Sequence, residues 1–328
     1  MTSPLSRLWP EAGLQSSDPL LLVASTGGHL TELRAWVDRL RLSGSNTWVT
    51  FDTPQSRALL DGADIEFLPY VGPRDLEGAI RARSRLGAVL RDRPWLTGVV
   101  STGAGIAVPA FVAARRVRVA RLYIESIARV TRPSLTGRLV QWSGLADLRA
   151  PYPEAARRPW RYEGGLLDQF IVGRRPPSPR PRLLVTVGTI RPYRFDALID
   201  SVLETGLADE RTTWQLGSTT RRGLPGQVVE ELAPAELMEH ARASDVVVTH
   251  AGAGTVLDLL RIGISPVVVP RRRARGEHVD DHQAELAQLL ERRGLAHVRE
   301  ADELDSQTMR EASGTMITST DGMSPWSS

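Results

Sequence analysis

Two histidines set beside glycine turns are the residues best placed to do chemistry. The first turn reads Ser25-Thr26-Gly27-Gly28-His29 and follows an apolar run, Leu20 to Ala24. The second reads His250-Ala251-Gly252-Ala253-Gly254-Thr255 and follows Val246 to Val248, a β-branched run of the kind buried on both faces of a parallel sheet. Thr255 is expected to open a helix carrying Val256, Leu257, Leu259 and Leu260. A strand, a turn almost without side chains and a helix N-terminus leave backbone N–H groups facing outward with roughly half a positive charge, which suits a phosphate or diphosphate. An imidazole titrates near neutral pH, so His29 can serve as a general base or as a donor to a diphosphate. His250, at the end of its strand, is expected to bond backbone rather than move protons. A third turn, Gly188-Thr189, follows Leu183 to Val187. Glu125 closes the apolar run Val119 to Ile124 and Arg129 lies just beyond it, at the strand end where ligands of doubly wound sheets bind.

The elements needed to hold these residues alternate. Apolar runs of strand length and amphipathic stretches of helical period succeed one another as βαβα, once in each half of the chain, which predicts an α/β fold of parallel doubly wound sheets. The expected division is a loose leader over 1–19, a first domain over 20–165, a Pro- and Arg-rich linker over 166–181, a second domain over 182–312 and a loose tail over 313–328. At 328 residues and 41% apolar content, two ordinary cores are affordable. No cysteine is present, so neither a disulfide framework nor a cysteine zinc site can form. No apolar run approaches the ~20 residues needed to span a bilayer. The net charge is only +3 although pI is 9.7, so the basic residues point either to anionic ligands and lipid headgroups or to an arginine-rich composition. A helix expected over 75–91 carries Arg81, Arg83, Arg85 and Arg91, read as a solvated face or as a surface leaning on anionic lipid. Neither early turn is a full G-x-G-x-x-G with an acid at the next strand end, which argues against a nicotinamide oxidoreductase.

Several motifs in series carry a resemblance. Val23 to Leu33, Tyr123 to Val130 and Ser134 to Leu139 resemble the acceptor subunit of the two-subunit GlcNAc transferases of lipid-linked oligosaccharide and bacterial exopolysaccharide synthesis. Val185 to Thr189, His250 to Thr255 and Gly276 to Gln283 resemble the donor subunit of the same enzymes, as though the two were fused, and more distantly the lipid II-forming GlcNAc transferase. The resemblance implies a GT-B fold, two Rossmann-like domains facing across a cleft, and inverting transfer from a UDP-sugar of GlcNAc, Glc or GlcA type. The acceptor it implies is a polyprenyl-diphosphate-linked or related glycan at the inner face of the plasma membrane. Gly252, Ala253, Gly254 and Thr255 would hold the donor diphosphate in place of a metal, with Arg271 near the phosphates and Asp281 and Gln283 on sugar hydroxyls. Gly188, Thr189, His250, Glu277, His278 and His282 complete the donor side. Asp258 stands where the lipid II enzyme has a glutamate resembling a ribose ligand. Thr26, Gly27, Gly28 and Arg129 would serve the acceptor, with His29 or Glu125 as base. No cofactor, metal or nucleic acid is expected; an anionic membrane surface is, and the oligomeric state stays open. The alternatives are a UDP-sugar epimerase and a non-catalytic nucleotide-sugar-binding scaffold of a membrane polysaccharide complex.

Overall fold

The computed structural model describes residues 3–72, 75–189, 192–277 and 282–320, and divides into two compact units, Met1–Asp168 and Gln169–Ser328. In the first unit the chain order is α1 (Pro4–Leu8), β1 (Leu20–Ala24), α2 (Gly28–Leu40), β2 (Thr47–Phe51), α3 (Pro54–Leu59) and β3 (Asp64–Leu68). It continues through α4 (Leu76–Asp92), β4 (Gly98–Gly103), α5 (Ala107–Val117), β5 (Ala120–Ile124), α6 (Leu135–Ser143) and β6 (Asp147–Arg149). In the second unit β7 (Phe170–Arg174) and β8 (Leu183–Thr186) precede α7 (Asp196–Glu204), β9 (Thr213–Gln215), β10 (Gln227–Val229), α8 (Pro234–Arg242) and β11 (Val246–Thr249). Then come α9 (Ala253–Arg261), β12 (Val267–Val268), α10 (His282–Arg292), β13 (His297–Val298), α11 (Ser306–Ser313) and β14 (Thr315–Ser319).

Each unit is built on a six-stranded, wholly parallel sheet. The orders are β3-β2-β1-β4-β5-β6 and β10-β9-β8-β11-β12-β13, the same doubly wound pattern twice. β1 and β8 are buried along their whole length, because helices cover both faces of a parallel sheet. In both sheets the winding reverses between the first strand and its neighbour on the other side, β1 against β4 and β8 against β11. The strand ends splay there, so a ligand can reach the backbone at that point. No helix among the described residues is long and apolar enough to cross a membrane.

Three expectations at the chain boundaries need correction. The expected loose leader is folded: Ser3 caps α1, and Leu5, Leu8 and Trp9 are buried. Trp9 Nε1 donates to Asp147 at 2.7 Å, and the Arg149 guanidinium reaches both the Leu8 carbonyl and Glu11, so the segment is tied to the edge strand β6. The expected linker over 166–181 contains β7, which pairs antiparallel with β14 from the expected tail. Residues 321–328 lie outside the described residues. Arg175 Nε and the Ser178 amide bind Ser313, so the proline-rich stretch packs on the second unit rather than running free.

Candidate active site

In the first unit the turn after β1 lies at the reversal of the winding. Gly27 is the N-cap of α2 with φ 83°, a left-handed conformation that favours glycine, and no side chain caps the helix. Thr26, Gly27 and Gly28 are all partly exposed. The amide N–H groups of the first turn therefore point outward as a ready anion cradle. His29, in that first turn, makes a 2.9 Å contact from Nδ1 to the Thr102 carbonyl at the end of β4. A carbonyl can only accept, so Nδ1 carries the proton and Nε2 keeps its lone pair in the neutral ring. Burial pushes the His29 pKa down, opposed by the bond to Thr102, and the positive charge of Arg129 lowers it further. The ring is thus an unprotonated base with a fixed tautomer near neutral pH. Gly103 lies against it: a Cβ there would stand 3.1 Å from both His29 Cε1 and Tyr123 Oη.

Glu125, the second base suggested by sequence, is placed differently. It is buried and accepts from Tyr123 Oη, Ser126 N, Ser134 N and Ser134 Oγ at 2.9–3.1 Å. Both oxygens are spent on the loop between β5 and α6, whose N-cap is Ser134. Glu125 organises that loop and offers no oxygen to a substrate hydroxyl, which corrects its expected catalytic role.

In the second unit the N-cap of α9 is Gly252, again without a side-chain cap. The helix opens at Ala253, not at Thr255 as the sequence suggested, because the small residues themselves adopt helical geometry. Ala253, Gly254 and Thr255 form an uncapped, partly exposed first turn. His250 lies under it, with its imidazole between the two glycine turns. A Cβ at Gly188, where φ is +80°, would stand 2.6 Å from His250 Cε1, and one at Gly252 would overlap the ring. These glycines are therefore required by the packing of His250. Thr189 is exposed beside Gly188.

The basic loop after β12 turns inward. Arg271 is fully buried (0%), donates to the carbonyls of Val187, Tyr193, Arg194 and Glu277 at 2.6–3.4 Å, and stacks 4.7 Å from the Phe195 ring centroid. Burial depresses its pKa to about 10, with Glu277 opposing the shift. Glu277, itself buried, accepts from the Arg272 amide at 2.8 Å, and Gln283 Oε1 accepts from the Arg271 amide at 3.2 Å. Arg271 is thus a structural clamp rather than a phosphate ligand, and Glu277 and the Gln283 carbonyl oxygen are its partners. A planar guanidinium with five donors gathers buried carbonyls, which turns Arg271 from its expected phosphate role, while the Glu277 carboxylate and Gln283 Oε1 accept from the main-chain amides of Arg272 and Arg271. His278 and Asp281 lie outside the described residues, and of His282 only the backbone, which begins α10, is described. Asp258, in the second turn of α9, is half-buried. No donor among the described residues reaches its carboxyl, whose pKa burial raises to about 7 against the pull of Arg261.

Comparison with known proteins fits this geometry. Residues 227–316, which include the α9 turn, match the family model described as the glycosyltransferase family 28 C-terminal domain. The UDP-N-acetylglucosamine–N-acetylmuramyl-(pentapeptide) pyrophosphoryl-undecaprenol N-acetylglucosamine transferase of Leifsonia xyli subsp. xyli is 28% identical over 300 residues, covering 79% of each chain. The chain is a glycosyltransferase. The two-unit fold is shared with MurG of Acinetobacter baumannii (TM-score 0.58, 16% identity, 90% of this chain and 93% of that one). It is shared equally with a putative UDP-N-acetylglucosamine 2-epimerase from Listeria monocytogenes (TM-score 0.56, 15% identity, 90% and 91% covered).

Two side chains that shape the glycine turn of the first unit carry no clear mark in the sequence. Gln55 Oε1 accepts from the Gly27 amide at 2.7 Å, holding the glycine turn from the start of α3. Glu32, one helical turn beyond His29, is buried against the loop that carries Arg129. No local signal marks Gln55. Glu32 is marked only by being an acid among the apolar positions Leu30, Leu33 and Trp36 of α2.

Proposed function

We propose that this glycosyltransferase transfers a sugar, with inversion, from a UDP-sugar to a polyprenyl-diphosphate-linked acceptor in the synthesis of a surface polysaccharide. The observation that carries the reading is the uncapped α9 N-terminus at Gly252, inside the region matched to the family 28 C-terminal domain model. The Leifsonia relative, whose name gives a UDP-N-acetylglucosamine donor and a pyrophosphoryl-undecaprenol acceptor, supports the substrate class.

In this reading the α9 N-terminus stabilises the diphosphate as it leaves, through backbone donors and helix field, and no metal is required. Asp258 takes the ribose hydroxyls. The acceptor hydroxyl oxygen attacks the anomeric carbon, the bond from that carbon to the diphosphate oxygen breaks, and UDP departs with the electron pair. The hydroxyl proton passes to Nε2 of His29, whose other nitrogen is already committed to Thr102. The α2 N-terminus, with Arg129 nearby, receives the acceptor diphosphate. Calorimetric titration in the presence of a chelator is expected to show UDP binding. A panel of UDP-sugars should raise the melting temperature in order of affinity, since a ligand bound to the native state stabilises it. Absence of UDP binding would remove the donor assignment.

A lipid-linked acceptor calls for contact with a bilayer, and in this reading an exposed face of the first unit makes it at the inner membrane face. Between Arg93 and Ala146 the chain has eight arginines and a single acid, the buried Glu125, although the whole chain carries only +3. On α6, Leu135, Leu139 and Trp142 stand 54%, 44% and 87% exposed at helical spacing beside exposed Arg132 and Arg138; Leu76 and Ile80 are exposed on α4. This apolar stripe with flanking arginines is the pattern of a helix lying in an anionic interface. Each arginine near such a surface contributes about 1 kcal/mol. The double substitution Leu139→Ser, Trp142→Ser is expected to lower the fraction co-sedimenting with phosphatidylglycerol vesicles about tenfold or more, since burying one such side chain is worth ~1.5–3 kcal/mol. Equal sedimentation of variant and wild type would refute the assignment of this surface.

A further inference from the structure

Glu32 is buried (1% exposed) on α2, one turn after His29, and it reaches 94 residues along the chain. Ser126 Oγ donates to its Oε1 at 2.7 Å and the Ile127 amide to its Oε2 at 3.1 Å, while the Ala128 amide donates to Ser126 Oγ at 3.1 Å. The Ser126 hydroxyl and the Ile127 amide thus find their acceptor in one carboxyl from the helix that carries His29. Glu125 holds the same loop from the other side through Ser126 N and Ser134. The two carboxyls meet at Ser126, which binds one through its amide and the other through its hydroxyl. An acid in a core position of a helix is costly where leucine or alanine would pack without penalty, so its presence asks for a purpose.

We infer that Glu32 is a positioning residue: it sets the register of the 126–130 loop, and with it Arg129, against the first turn of α2 and His29. The inference rests on the acceptor-side reading of that half-site, but its geometry stands on the hydrogen bonds alone.

The charge state follows from the surroundings. Glu125 and Tyr123 approach from β5, His29 lies one turn back on the same helix, and the Arg129 charge acts on His29. Burial, with Glu125 adding to it against the bonds from Ser126 and Ile127, raises the Glu32 pKa to about 8. The folded state therefore holds a proton that the unfolded chain, with a pKa near 4.5, gives up. Stability falls as pH rises above the unfolded value, and the loss is complete once pH passes about 8.

The test compares Glu32→Gln with Glu32→Ala by hydrogen exchange and by acceptor kinetics, with the milder Ser126→Ala as a second probe of the same bond. Glutamine, like the protonated acid, can accept from Ile127 and donate to Ser126 Oγ, whereas alanine can do neither. In Glu32→Ala the amides of Ile127 and Ala128 are expected to exchange at least about tenfold faster. Acceptor kcat/KM should fall about ten- to hundredfold with donor KM unchanged. Ser126→Ala should speed exchange at Ala128. Glu32→Gln should restore exchange and kcat/KM to within about threefold of wild type, on the same scale as a single neutral hydrogen bond, and abolish the loss of stability between about pH 4.5 and 8. Exchange in Glu32→Ala equal to wild type, or Glu32→Gln as impaired as Glu32→Ala, would overturn the inference. Exchange is read without substrate, so it fails or succeeds independently of the transferase reading.

Discussion

Replacing His29 by alanine is expected to lower kcat by about 10²–10⁴-fold, the usual contribution of a positioned general base. UDP binding, which the proposed function assigns to the second unit, should be unchanged. The size of the effect follows from how completely the ring is prepared. The Thr102 carbonyl accepts from Nδ1–H and fixes the tautomer, Thr102 Oγ1 donates to the His29 carbonyl, and burial keeps the ring neutral. Because the pKa is lowered from 6.5, the acid limb of the kcat/KM profile should lie below that value, with activity rising with pH as the ring loses its proton. The alanine variant should lose this limb. A variant with wild-type turnover, or one that retains the limb, would show that the proton goes elsewhere.

Replacing Arg271 by alanine is expected to destabilise the second unit by about 3–5 kcal/mol, the scale seen when a buried charged group leaves its partners unsatisfied. Four carbonyls on two loops lose their donor at once, and the Phe195 ring loses the cation stacked on it. Lysine should not restore the loss, since a point charge on a flexible stem cannot bridge Val187 on one side and Glu277 on the other while stacking. Denaturant unfolding measures the change, and calorimetry on the folded fraction should give a UDP affinity close to wild type. A phosphate ligand would behave the opposite way, losing affinity with little change in stability.

The contrast between these two residues shows what the sequence discloses. Val246 to Val248 and Leu20 to Ala24 are apolar and continuous, so their strands, the glycine turns after them and the doubly wound class could be read directly. Both turns lie at the reversal of winding in their sheets. β6 was invisible because Asp147-Leu148-Arg149 is short and mostly polar; it is held by Trp9 and Glu11, 138 residues away, and no local pattern reports such a contact. The same bonds turn an apparently loose leader into folded chain. Polar residues misled most. Arg271, Glu277 and Gln283 crowd beside a phosphate turn and read as ligands, yet burial turns the first two and the Gln283 oxygen toward each other. Glu125 reads as a base at a strand end and is consumed by its own loop. Polarity in sequence suggests exposure to a ligand, and only packing reveals which polar atoms are already satisfied.

The most direct test of the account is acceptor-dependent release of UDP. A labelled UDP-sugar is incubated with the protein on phosphatidylglycerol vesicles, with and without a sugar-bearing polyprenyl diphosphate, and both the UDP and the lipid product are followed. The account predicts UDP formed in step with a glycosylated lipid whose new linkage has the anomeric configuration opposite to that of the donor, and no reaction without acceptor. Epimerised UDP-sugar in the absence of acceptor, or no UDP with any lipid-linked acceptor, would contradict it.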